Sequence, residues 1–151
     1  MNVSMFVRSH VERCLADMLG VCRVPADQDG DYYFRSGSAA CYVRVEDQDP
    51  VIVRVFAVAA TGVSRSAKLL AEINEVNSRS HSAWVTWAAD QVVVGQGLIA
   101  DSVTVQALDQ ACGAVVRVAN DIGALIAAVF GGATPFAAGG QDATPVSGDS
   151  K

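Results

Sequence analysis

A chain of 151 residues fits one ordinary domain, and 51% hydrophobic against 18% charged residues excludes a disordered polymer. A formal charge of -5 opposes a phosphate backbone over the whole surface, so nucleic acid is not an expected partner. Residues 1–10 lack the charged, apolar and cleavage regions of a secretory signal, and the best candidate membrane span, residues 122–133, is roughly half the ~20 residues a bilayer requires. A cytoplasmic protein without membrane contact is the expectation.

From residue 6 to 19, Val7, Val11, Cys14, Leu15, Met18 and Leu19 recur at intervals of three and four, with Arg8, Glu12, Arg13 and Asp17 between them, which predicts an amphipathic first helix. Gly20 supplies a stop, and Pro25 with residues 27–30 a polar turn. A first strand is predicted from residue 32 to 35 or 36. Ser36-Gly37-Ser38 signals a turn; residues 41–46 alternate, and residues 51–59 form a longer β-rich run. Two hairpins then make an antiparallel three-stranded meander.

Period-two arithmetic separates its faces. Val43 and Val45 pair with Val51, Val53 and Val55 on a core face, whereas Tyr42, Arg44 and Glu46 share parity with Ile52, Arg54 and Phe56. The second face holds sizeable side chains with no assigned partner.

Thr61-Gly62-Val63-Ser64 breaks the strand, and a Ser or Thr there caps a helix over 69–77 whose Leu69, Leu70, Ile73 and Val76 form one stripe. With strands before and after it, this helix is expected to be the element around which the chain is organised, and Asn77-Ser78 ends it. Residues 83–88, with Trp84 and Trp87, and residues 91–99 predict a second hairpin around Ala89-Asp90. Gly95-Gln96-Gly97 reads as a bulge or bend, because no helix follows to cradle a phosphate. Asp101 and Ser102 precede a long helical seam of Val105, Leu108, Cys112, Val115, Ala119, Ile122, Ile126 and Val129, closed by Gly131-Gly132. Residues 133–151 are rich in Gly, Ala, Pro, Ser, Thr and Asp, with Phe136 the sole aromatic, which predicts a domain over 1–132 and a flexible tail dispensable for folding.

Chemistry-bearing motifs are sparse. His10 and His81 have no companion ligands at metal-site spacing and read as solvated; no G-x-S-x-G elbow is present. Cys14, Cys22, Cys41 and Cys112 form no C-x-x-C pair and read as reduced, structural thiols, while Glu72 and Glu75 read as a solvated helix face. No catalytic residue, metal or cofactor is expected. The face bearing Tyr42, Arg44, Arg54 and Phe56 stays open to three readings: a wet sheet surface, a protein-docking surface, or an aromatic-plus-basic RNA surface, the last disfavoured by the acidic total and the missing RNP motif.

Taken together, the turn Ser36-Gly37-Ser38 before Tyr42-Val43-Arg44-Val45, the run 51–56, the pattern L-L-x-x-I-N-x-x-N at 69–77 and the closing strand and helix resemble the YbjN-type family, whose members look like type III secretion chaperones in fold. The resemblance implies an α+β domain of order α-β-β-β-α-β-β-α with a mostly antiparallel sheet packed on helices. It further implies a non-enzymatic, often dimeric protein that binds another polypeptide or acts in regulation. Asn74 and Asn77 match family positions and read as capping or local hydrogen-bonding residues, and the Gly/Pro/Ala tail departs from the pattern. Aromatic and arginine side chains dominate interface energies, so the face of Tyr42, Arg44, Arg54 and Phe56 is the expected dock for a protein segment or a second copy of the chain. The alternative is a small-ligand sensor or an unrecognised enzyme using a cleft between sheet and helices.

Overall fold

The structure, a computed structural model, describes residues 3–137. Along the chain come α1 (Val3–Leu19), β1 (Tyr32–Ser36), β2 (Ala39–Glu46), β3 (Ile52–Thr61), α2 (Ala67–Arg79), β4 (Trp84–Ala88), β5 (Gln91–Ile99), a 3-10 turn (Ala100–Ser102) and α3 (Val105–Phe130). This is the predicted order. The five strands form one antiparallel sheet in the order β1-β2-β3-β5-β4.

Local chemistry sets the element ends. The Ser66 hydroxyl accepts the Leu69 N–H at the start of α2, and the Thr104 hydroxyl accepts the Ala107 N–H at the start of α3. Asp101 and Ser102, which precede that helix as the sequence indicates, lie in the 3-10 turn. Gly131, at φ 79°, closes α3 in the left-handed region where glycine carries no Cβ penalty. The two-residue β4–β5 turn has positive φ at both Ala89 (49°) and Asp90 (58°), the pattern whose twist suits a hairpin.

The valine face is the core face. Cys41, Val43, Val45, Val53, Val55, Ala57, Val92 and Val94 are buried beneath α3, which contributes Leu108, Ala111, Cys112, Val115 and Ala119, and α1, which contributes Val11, Cys14 and Leu15. The organising helix is therefore α3 and not α2. Helix α3 packs on β3, β5, β2 and α1, whereas α2 packs mainly on the edge strand β4. In α2 only Leu69 and Ile73 are buried, and Leu70 keeps 37% of its surface exposed. By length and composition α3 could cross a membrane, yet its apolar seam is spent on the sheet.

Sequence and structure also part over the irregularity in the sheet. Strand β5 runs unbroken through Gly95-Gln96-Gly97, and the register slips between Val58 and Ala60 of β3 instead. Helix α3 crosses at that bulge, where a Cβ on Gly123 would lie 2.5 Å from the Ala59 carbonyl oxygen. The bulged backbone and the missing side chain are two halves of one close approach.

Three side chains are better anchored than their sequence context indicated. Asn77 reaches from α2 to β4, donating to the Val85 carbonyl at 2.9 Å and accepting the Val85 N–H at 2.7 Å, so it occupies that residue's outward groups on the sheet edge. His10 is not a solvated histidine: half-buried, it bonds the Val103 carbonyl through Nε2 at 2.7 Å and lies 3.6 Å from the Cys14 sulfur. His81 is exposed. Phe136 donates its N–H to Ser38 and lies 4.5 Å beneath the Arg35 guanidinium, while Ala133 bridges to Thr61.

Of the tail expected from residue 133, residues 133–137 are the part the structure describes, and they make these contacts; residues 138–151 lie outside the described residues. A chain stopped after Gly132 is accordingly expected to melt several degrees below one stopped after Ala137, because it loses the Thr61 bridge and the Arg35–Phe136 stack. Equal melting temperatures by differential scanning calorimetry would show those contacts to be idle.

Candidate functional site

Helices cover one face of the sheet, and the residues of opposite parity line the other. Tyr33, Tyr42, Phe56, Gly95 and Trp84 are successive register partners, one on each strand, so they form a straight row across the whole sheet. Tyr33 and Tyr42 stand 5.1 Å apart at an interplanar angle of 49°, and Tyr42 and Phe56 stack at 5.1 Å and 12°. Cross-strand aromatic pairs of this kind hold a sheet face together as well as presenting it. Trp84 lies over Gly95: a Cβ there would be 2.3 Å from the indole ring, so glycine is what lets the edge-strand indole fold down into the row.

A second row runs alongside through Arg44, Arg54 and Gly97. Arg44 sits 5.2 Å from the Phe56 centroid and Arg54 5.8 Å from that of Trp84. Neither cation is free. Arg44 grips the buried Asp31 through Nε at 2.9 Å and Nη2 at 2.5 Å, and Arg54 pairs with Glu46 at 3.0 Å. The hydrogen bond to Asp31 raises the Arg44 pKa above its usual value. Burial pushes the phenols of Tyr33 and Tyr42 up, which keeps both as neutral O–H donors across the physiological range. The face is thus aromatic and rich in donors, with Arg44 and Arg54 neutralised by Asp31 and Glu46.

The four residues singled out by parity, Tyr42, Arg44, Arg54 and Phe56, are brought together on this one face. Tyr33, Gly95 and Trp84 were missed. A hairpin centred on Gly37-Ser38 puts Tyr33 opposite Tyr42, so the first was within reach of register arithmetic. Trp84 and Gly95 depend on the β3–β5 pairing, which no local signal reveals.

Other concavities offer less. An apolar groove of about 290 Å³ lies between α2 and α3, with Ile122, Leu125, Val129 and Phe130 facing Lys68, Glu72 and Val76. A hollow of about 640 Å³ beside the β2–β3 loop is lined by Asp47, Asp49, Asp101 and Val3, among others. Among the described residues no group of three or more His, Cys, Asp or Glu is placed to hold a metal. The layer between sheet and helices, where a catalytic or sensory cleft was the alternative, is filled by the core side chains. Burial raises the pKa of Cys14, and the hydrogen bond between Cys41 and Cys112, together with burial, raises that of Cys41, so neither thiol is poised as a thiolate.

The family model described as T3SS (YopN, CesT) and YbjN peptide-binding chaperone 1 matches residues 6–138. Among solved structures, the fold is similar to a chain in the ExsC-ExsE complex, with a TM-score of 0.66 and 11% identity over 83% of this chain and 97% of that one. It is also similar to a chain in the HopA1-SchA chaperone-effector complex, with a TM-score of 0.62 and 8% identity over 78% of this chain and 93% of the other. No curated protein matches the sequence.

Proposed function

Because the chain belongs to the family of T3SS and YbjN peptide-binding chaperones, we propose that it is a non-catalytic chaperone or regulatory adaptor that holds a segment of a partner polypeptide on the open face of its sheet. The observation that carries this reading is the row Tyr33-Tyr42-Phe56-Trp84, four aromatic side chains aligned on the side of the sheet away from the helices. Such a row lies outside the core cluster, and aromatic side chains carry most of the energy at polypeptide interfaces. One structural neighbour is itself a chaperone-effector complex. The protein acts in this reading as a soluble cytoplasmic monomer or homodimer, with its client as the occupant of the face.

The test compares Phe56→Ala and Arg54→Glu with the parent, each first confirmed folded by circular dichroism. Removing a central ring is expected to cost about 2 kcal/mol of binding, a roughly 30-fold loss of affinity for a client recovered by native pull-down. Unchanged client affinity in both variants would remove the face from consideration. A fall in sedimenting mass with unchanged client affinity would mark it as a dimer interface instead.

A further inference from the structure

The proposed docking face also carries information about the conformation of what it holds. An extended client could join the sheet as a sixth strand, or it could lie across the strands on the aromatic row. The edges argue against the first. In two-residue hairpins the alternation of the ladder turns the backbone groups of Val85 and Trp87 outward on β4, and those of Tyr33 and Arg35 outward on β1. Asn77 takes both outward groups of Val85, and Pro25 accepts the N–H of Tyr33. Each edge keeps one complete outward N–H and C=O pair, too few to template a strand.

The row itself has what a strand edge lacks. The hydroxyls of Tyr33 and Tyr42 and the indole N–H of Trp84 make no hydrogen bond among the described residues. They are donors set on an apolar floor. A polyproline II segment is the complementary object: it has no internal hydrogen bonds, so its carbonyls are free acceptors, and its low conformational entropy favours docking on aromatic surfaces. Its turn of about 9 Å nearly matches two steps of the 5.1 Å ring spacing, about 10 Å. Charge agrees as well, since Arg44 and Arg54 are already paired with Asp31 and Glu46 and ask for no acidic ligand. At the β1 end of the face the chain already seats one of its own rings: Phe136 is held there by Ser38 and by Arg35, which shares parity with Tyr33.

We propose that the occupant of the row is an uncharged, proline-rich segment of the partner polypeptide in the polyproline II conformation, lying across the strands with its carbonyls on Tyr33, Tyr42 and Trp84. This rests on the open face being the docking site. The test titrates the full chain with a blocked dodecapeptide of four Ala-Pro-Pro repeats and, separately, with a blocked Thr- and Val-rich peptide of equal length, following the indole N–H signals of the two tryptophans by NMR. The proline-rich probe is expected to give a saturable shift of the Trp84 signal while Trp87, bonded to the Val63 carbonyl, stays still. Tyr42→Phe, which removes only the hydroxyl, is expected to weaken the probe about fivefold. An unmoved Trp84 signal would overturn the proposal, as would tighter binding of the Thr/Val peptide with shifts at the Trp87 or Arg35 amides. If the proline-rich probe fails while client affinity still depends on Phe56, only the ligand class falls. If client affinity ignores Phe56→Ala, the docking face itself falls.

Discussion

Two alanine substitutions in α3 are expected to act in opposite directions, Gly113→Ala raising stability by about 0.5–1 kcal/mol and Gly123→Ala lowering it by about 2 kcal/mol. Both glycines lie inside the same helix, so the propensity gain is the same. The surroundings differ. Nothing lies within 4 Å of a Cβ at Gly113, whereas a Cβ at Gly123 would be 2.5 Å from the Ala59 carbonyl oxygen. That oxygen is backbone in a β-bulge and cannot swing aside as a side-chain tip could, so α3 must lift from the sheet and loosen the core beneath it. Urea denaturation should place the two midpoints on either side of the parent, with the thermal midpoint of Gly123→Ala lower by roughly 5–8 °C. Equal stability of the two variants would mean that α3 does not make this approach.

The second large effect is on binding, with the fold left nearly untouched. Gly95→Val places a branched side chain where the Trp84 ring now lies. The obstructing atoms belong to the far end of a side chain on an edge strand, so the ring can leave, and the added β-propensity offsets part of the cost. Stability is expected to change by less than about 1 kcal/mol. The row, however, loses its β4 end, and client affinity is expected to fall about 30-fold, comparable to removing a central interface aromatic. A variant with intact melting and intact client affinity would take Trp84 out of the site.

What the sequence disclosed follows from how local each feature is. Helix α3 was readable because Leu108, Cys112, Val115, Ala119 and Ile126 repeat at helical spacing, and the split of β2 and β3 into a valine face and a Tyr42-Arg44-Arg54-Phe56 face followed from parity across a short loop. The pairing of β3 with β5 was not readable, since α2 and β4 intervene, and with it went the positions of Gly95 and Trp84. The stripe of α2 misled because Leu70 and Val76 keep the helical spacing of core residues without being fully buried. Composition gave no sign of the contacts at residues 133–136, where one ring lies under Arg35 and two backbone bonds reach Thr61. Asn77 was legible as a hydrogen-bonding residue, but its partner, eight residues away on β4, was not.

The deciding property is which surface meets the partner polypeptide. A photo-crosslinking amino acid placed at Thr86, exposed on the aromatic face, can be compared in producing cells with the same group at Leu125, exposed in the groove between α2 and α3. The expected result is a discrete polypeptide adduct from position 86 that disappears when Phe56→Ala is added, with none from position 125. Adducts from position 125 alone, indifferent to Phe56→Ala, would contradict it and move the binding site to the helices.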